Sequence, residues 1–318
     1  MSESNNKTDG KASSKVDDKT DDIAGGKASS KVDNVGSSKV DKIVNSVFND
    51  IKECAFKNDK EPVCSPKHIV KSMKAFVEKK GVKVSDNPVH IVKSMKDLLN
   101  CNSESCILKR KDFVEFSKHS SLEHILNEFF KPEGPSQDFG LLSNFNIDDV
   151  LDQFEEKFEP RRFLHIPFQM RDFEKVGTQL ATIDLAEEFK NGKKTFGVVL
   201  NTDWSSGGGI HWFCLFGEDT GDKIQLEYFN SSGRPPLPEV QAWLQKTKHH
   251  LTKTLKRKVD IHYSTGISFQ NDNHSCGVYC LCYIWLRLEK VPASWFKKDR
   301  FNDKHMHKAR KNLFRHEI

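Results

Sequence analysis

The spacing of hydrophobic positions changes twice along the 318 residues. Through residues 1–41 apolar side chains are sparse and aromatic ones absent. GKASSKVDD at 10–18 returns as GKASSKVDN at 26–34 and, shortened, as GSSKVD at 36–41. So polar a repeat buries too little apolar area to offset its ordering entropy, which predicts a disordered tail. A solenoid needs longer units with an apolar face. From 42 to 135 the pattern becomes helical and Lys-rich. HIVKSMK occurs at 68–74 and 90–96, setting Ile69 with Met73 and Ile91 with Met95 on single helix faces. Short amphipathic helices forming an arm fit this pattern. Their plain role is packing; a Lys-rich face docking an acidic partner is the rarer one.

KPEGPSQDFG at 131–140 reads as a linker. Beyond it, residues 195–200 (TFGVVL), 210–216 (IHWFCLF), 224–229 (IQLEYF) and 259–263 (VDIHY) have strand character. A helix is expected from Pro238, with Val240, Trp243 and Leu244 on one stripe. Residues 276–288 (CGVYCLCYIWLRL) are too long an apolar run for a typical strand, so a buried helix is expected. The order β-β-β-α-β-α indicates an α+β or mixed α/β domain. The expected organisation is a tail at 1–41, a helical arm at 42–135 and a main domain at 136–318.

Composition narrows the function classes. Apolar residues are 36% of the chain, below the roughly 45–50% of ordinary globular proteins, partly because of the tail. No stretch approaches the roughly 18 consecutive apolar residues of a membrane span, and MSESNNKTDG lacks a signal-peptide core. An intracellular protein without membrane contact is expected. The eight cysteines are then expected as reduced thiols. The net charge of +5 combines a weakly acidic tail with a basic remainder.

One constellation carries chemistry. A turn centred between Thr220 and Gly221 places His211 opposite Asn230, and a slip of one residue would turn them to opposite faces. An Asn oxygen accepting an imidazole N–H fixes ring orientation and tautomer. Cys276 stands where the polar loop QNDNHS enters the apolar helix. Free N–H groups of a first helical turn stabilise a thiolate, and a neighbouring His is expected to lower the thiol pKa into the range of about 3.5–7.5. Gly277 would leave room for a substrate backbone. Gln270 can offer a side-chain N–H to an oxyanion beside the Cys276 backbone N–H. Gly207, Gly208 and Gly209 read as a flexible loop before His211.

HWFCLF, LEYFNSSG and QNDNHSCGVY resemble the Ulp1-like cysteine protease clan, which includes SUMO-specific proteases and the adenovirus proteinase. CNSESC, GLLSNFNID, PFQMRDFEKV, TFGVVLNTDWSSGGGIHW and the terminal LFRHEI resemble, within it, the polyprotein-processing proteases of African swine fever virus and other large DNA viruses. The tail and the doubled HIVKSMK fall outside this likeness. The resemblance implies a papain-related α+β core, a central mixed sheet flanked by helices. It implies Cys276 as nucleophile, His211 as base and then acid, Asn230 as orienter and Gln270 as oxyanion donor, with no cofactor. Many clan members carry Asp at the orienting position; a neutral Asn fixes the tautomer without an ion-pair contribution. Cleavage of viral structural polyproteins after Gly-Gly is implied, in the host cytoplasm and the virion core. Trp212 and Trp204 are candidates for the walls of a tunnel admitting only residues without Cβ, and Trp204 reads equally as core. Gly25-Gly26 in the tail is an accessible Gly-Gly pair, which predicts self-processing between Gly26 and Lys27.

Three other readings remain. Removal of a ubiquitin-like modifier presents the same Gly-Gly carbonyl to Cys276. A nucleic-acid or scaffold role rests on residues 289–318, where nine Lys/Arg face four acids and Trp295, Phe296 and Phe301 are interspersed. Zinc would draw on Cys101 and Cys106 or on Cys276, Cys280, Cys282 and His274, but no CxxC pair occurs and no metal is expected. Cys214, Cys280 and Cys282 are expected as small buried hydrophobes.

Overall fold

The computed structural model describes residues 33–49, 51–119, 121–135 and 139–315. The first copy of the tail repeat, residues 26–32 of the second, and with them Gly26-Lys27, lie outside the described residues. Helix α1 (Asp33–Asn49) takes in residues 33–41, which the polar repeat predicts as tail. Its cause is local: Val40, Ile43, Val44, Val47 and Phe48 recur at helical spacing, and all five pack on the main core.

Helices α2 (Lys67–Lys79) and α3 (Pro88–Leu99) carry the two HIVKSMK copies. Ile69, Met73, Ile91 and Met95 are all buried between them and α4 (Glu104–Lys109), α5 (Lys111–Ser117) and α6 (Glu123–Phe129). Two disulfides, Cys54–Cys64 and Cys101–Cys106, brace this arm, so four of the eight cysteines are paired rather than reduced. Between them the buried Glu104 carboxylate accepts the Cys64 and Ser65 N–H groups at 3.0 and 2.7 Å. The chain enters and leaves the arm side by side, with Ala55 N–H donating to the Phe129 carbonyl and Lys131 N–H to that of Glu53. Phe56 already belongs to the main core, edge-on to Phe154 and Trp285.

After α7 (Asn144–Lys157) come the strands β1 (Phe163–His165), β2 (Thr195–Asn201), β3 (Trp212–Asp219), β4 (Lys223–Phe229) and β5 (Lys258–Ser264). They form one mixed sheet in the order β1-β2-β3-β4-β5, antiparallel at β2/β3 and β3/β4 and parallel at both edges. Helices α8 (Phe173–Val176), α9 (Gln179–Thr182) and α10 (Leu185–Lys190) lie between β1 and β2, and α11 (Pro238–Leu255) between β4 and β5. The pleat divides β3 between two cores. Trp212, Cys214 and Phe216 join the cluster around α12 (Cys276–Leu288), while Phe213 and Leu215 join that of Trp243 and Leu244 on α11. Every residue of α12 is buried, as the unbroken apolar run requires.

The one charge in that helix, Arg287, is met from the sheet. Its Nε and Nη2 donate to the two Glu227 oxygens at 2.8 and 2.7 Å, and Tyr283 Oη donates to the same carboxylate. Helix α13 (Asp303–Leu313) closes the chain, with Met306, Ala309 and Leu313 in the main core.

The β3–β4 register differs from expectation by two residues. Cys214 pairs with Phe229 and Phe216 with Glu227, so the turn is centred between Gly221 and Asp222. Gly221, at φ +91, takes the first turning position, where the left-handed conformation favours glycine. A shift of two preserves parity, so His211 and Asn230 stay on one face as diagonal neighbours.

Candidate active site

The open end of the β3–β4 hairpin meets the start of α12. His211 immediately precedes β3, Asn230 immediately follows β4, and His211 Nε2 lies 2.8 Å from Asn230 Oδ1. A backbone donor fixes which amide atom faces the ring. Ser232 N–H donates to Asn230 Oδ1 at 3.0 Å and the Ser232 hydroxyl donates to it at 2.8 Å. An N–H needs an acceptor, so that atom is the oxygen. Asn230 Nδ2 in turn donates to Tyr228 Oη, which donates to the Arg234 carbonyl. Asn230 therefore receives Nε2–H, and neutral His211 keeps its lone pair on Nδ1. That is the tautomer a base needs when the other ring nitrogen is tied to an orienting side chain. Burial lowers the His211 pKa from its usual 6.5; the Asn230 contact opposes this and Arg234 adds to it.

Cys276 opens α12 and is 4% exposed. Burial pushes its thiol up to about 11. The Trp212, Gly277 and Cys276 backbone N–H groups work against that rise, and the Cys280 thiol adds to it. This corrects the expected depression: desolvation of the anion outweighs the helix start. Thiol and imidazole are both neutral near pH 7 in the free protein. Cys214, Cys280 and Cys282 are fully buried, and Cys214 Sγ lies 3.9 Å from the Cys280 carbonyl oxygen.

Gln270 is tied to Ser231, the residue after Asn230. Its Oε1 accepts the Ser231 hydroxyl at 2.7 Å, and its Nε2 donates to the Asp272 carbonyl and carboxylate at 3.0 and 3.2 Å. Asp272 organises the approach to Cys276, accepting the His274 and Ser275 N–H groups and the Ser275 hydroxyl. Burial alone would raise its pKa, but these donors and His307 bring it down to about 2.

Gly277 does not leave the space expected of it. A Cβ there would stand 3.1–3.3 Å from the Leu142 side chain, so its missing side chain admits Leu142 rather than a substrate backbone. The Leu142 carbonyl accepts the Trp212 indole N–H at 3.1 Å, and Trp212 packs inside the main core, edge-on to Phe168. Trp204 is not core: it is 44% exposed and stacks under Arg171 at 4.4 Å, which pairs with Glu239 on α11. The glycine loop before His211 is tied down by Asn201 and Asp203. Asn201 Oδ1 accepts the Asp203 and Ile210 N–H groups, and Asp203 Oδ2 accepts that of Gly209.

Sequence reasoning missed Tyr228, Ser232, Asn201 and Asp272. Only Asp272 left a signal, since Asp three residues before Ser275 has the spacing of a side-chain cap. The C-terminal aromatics do not belong to an exposed basic surface. Trp295, Phe296 and Phe301 are core residues, and buried Arg310 and Arg315 donate to backbone carbonyls. Cys101 and Cys106 are joined to each other, so that pair offers no thiolate to zinc. Among the described residues, no helix is long and apolar enough to cross a membrane.

Over 284 residues the chain is 34% identical to a cysteine protease of African swine fever virus (isolate Tick/Malawi/Lil 20-1/1983), covering 83% of this chain and 95% of that protein. The chain belongs to the family of the African swine fever virus cysteine protease. A family member from isolate Pig/Kenya/KEN-50/1950, named as a SUMO-1 cysteine protease, matches at the same identity and coverage. A thiol protease of Acanthamoeba polyphaga mimivirus is 22% identical over 219 residues, 68% of this chain and 70% of that one. The fold is shared over the matched part: a crystal structure of the African swine fever virus protease superposes with a TM-score of 0.71 at 32% identity, over 83% of this chain and 96% of that one. No family model matches the chain. As a member of this family the protein is a cysteine protease with relatives in large DNA viruses, as the motifs implied.

Proposed function

We propose that this protease cleaves viral structural polyproteins after Gly-Gly during virion core maturation in the host cytoplasm. The observation that carries the residue roles is the Asn230 amide, whose orientation leaves His211 Nδ1 free as an acceptor. His211 Nδ1 takes the Cys276 proton as Sγ attacks the carbonyl carbon of the second Gly. The oxyanion is received by the Cys276 N–H and by one Gln270 N–H redirected from Asp272; such a donor contributes about 3–4 kcal/mol to the transition state. His211 then protonates the leaving amine, and water activated by the same nitrogen releases the acyl group. Because the free pair is neutral, the proton passes from Cys276 to His211 as Sγ attacks, within the bound complex. Asn230 keeps the ring aligned in both states without adding a charge.

The tunnel is proposed with Trp212 as its inner wall, and Trp204 as an outer wall presented by the loop that leads into His211. Self-processing between Gly26 and Lys27 would follow from the same specificity, and an unclipped wild-type chain after long incubation would remove it.

A second reading has its own support. Relatives at 34% identity are named SUMO-1 cysteine proteases, and a ubiquitin-like modifier offers the same carbonyl. The deciding experiment incubates the enzyme in parallel with a Gly-Gly-containing structural polyprotein and with a SUMO conjugate. Turnover of the polyprotein is expected; efficient turnover of the conjugate alone would replace this proposal with deconjugation.

A further inference from the structure

Beside the catalytic cleft, two side chains of the loop between Gln270 and Cys276 meet one from α13, and the hydrolytic chemistry uses none of the three as a metal ligand. Asp272, His274 and His307 each offer one ligand atom, all within 4.8 Å of one another, and they are the only such His/Cys/Asp/Glu group among the described residues. Asp272 Oδ2 lies 3.4 Å from His274 Nε2 and is hydrogen-bonded to His307 Nε2 at 3.2 Å, a contact that zinc would replace. Zinc bonds of about 2.0–2.1 Å at tetrahedral angles put neighbouring ligand atoms about 3.3 Å apart. The two measured edges match that spacing.

A second observation points to the same place. His274 Nε2 is buried and has no hydrogen-bond partner, although it stands so close to the carboxylate oxygen. The proximity is therefore not that of a hydrogen bond directed at Asp272. A buried ring nitrogen left in this way is unfavourable unless something else meets its lone pair. The two imidazoles stack at 5.6 Å with planes 14° apart, and Phe139 stands edge-on to both, at 5.3 and 5.1 Å. The remaining contacts to the carboxylate have the character of an outer shell. Ser275 Oγ donates to Oδ2, while the backbone N–H groups of His274 and Ser275 hold Oδ1.

We propose that Asp272 Oδ2, His274 Nε2 and His307 Nε2 bind one Zn²⁺, with water in the fourth position. The ligand set, two imidazoles and a carboxylate, suits a borderline divalent ion and not Mg²⁺ or Ca²⁺, which prefer oxygen. His307 comes from α13 and the other two from the loop that delivers Gln270 and Cys276. Zinc would thus tie the C-terminal helix to that loop, acting as a positioning ion that touches no substrate.

The test uses untagged full-length Cys276→Ala protein, which removes the thiol as a competing zinc ligand. Metal-free protein is titrated with Zn²⁺ in competition with a chromophoric chelator. One equivalent should bind and raise the unfolding temperature. In Cys276→Ala/His307→Ala, affinity should fall at least ~100-fold and the thermal shift should vanish, while the metal-free circular dichroism stays unchanged. Should that variant fail to fold, His307→Gln is read in the same way. Absence of saturable binding, or binding indifferent to His307, would overturn the proposal.

Discussion

Cys276 in the free enzyme should alkylate along a rising alkaline limb and not on a neutral plateau. The perturbation is pH, and the quantity at issue is the thiol's pKa. Burial raises it from 9.0 to about 11, a difference of about 2.7 kcal/mol in favour of the neutral form. At pH 8 the thiolate would then be about 0.1% of the population, against about 10% for an unshifted thiol. Between pH 7 and 10 the rate with iodoacetamide should climb about tenfold per unit. Attribution is straightforward because Cys214, Cys280 and Cys282 are fully buried and the remaining four cysteines are paired. Peptide mapping should find the label on Cys276, and Cys276→Ala should remain unlabelled. His211→Ala should leave the profile nearly unchanged, since two neutral groups exchange little electrostatic energy. A plateau with its midpoint below pH 7, lost in His211→Ala, would show a resting thiolate–imidazolium pair and refute the reasoning.

Three further outcomes follow from groups outside the cleft. His165 is held by Asp152 at 2.7 Å and Asp148 at 3.3 Å; burial opposes its charge, but the two carboxylates raise its pKa to about 9. A raised folded pKa gives stability fully present below the unfolded value near 6.5 and lost as pH rises through 9. His165→Ala should therefore cost up to about 3 kcal/mol in urea unfolding at pH 6 and much less at pH 9.5. Arg287→Ala strands Glu227 and Glu218 beneath α12 and should cost about 3–5 kcal/mol; a loss below 1 kcal/mol would mean that the pair contributes little. Non-reduced protein unfolded in denaturant should expose four thiols to maleimide, and eight would remove the arm disulfides.

Legibility followed locality. Strands β2 to β5 and helix α12 were readable because each writes its burial into its own sequence. β1 has three residues, too few for any period to emerge. The His211–Asn230 pairing survived a misplaced turn because a shift of two residues leaves parity intact. Where distant residues decide, the sequence misled. Gly277 is small on account of Leu142, and the Cys276 thiol is set by the burial that β3 and α12 create together. The cysteine pairs are illegible for a different reason: a chain without an export signal reads as reduced, and disulfides closing loops of 10 and 5 residues leave no other mark in the sequence. Trp295 and Phe301, counted toward a nucleic-acid surface, are core residues, with Phe301 packed against Phe48 of α1.

The central claim, that Cys276 served by His211 performs Gly-Gly cleavage, has one most direct measurement. Wild-type enzyme, Cys276→Ala and Cys280→Ala are incubated with a structural polyprotein segment containing one Gly-Gly pair, and the products are weighed by mass spectrometry. Wild type and any folded Cys280→Ala should yield fragments ending at the second Gly, and Cys276→Ala should yield none. Cleavage that persists in Cys276→Ala, or that falls elsewhere in the wild-type digest, would contradict the account.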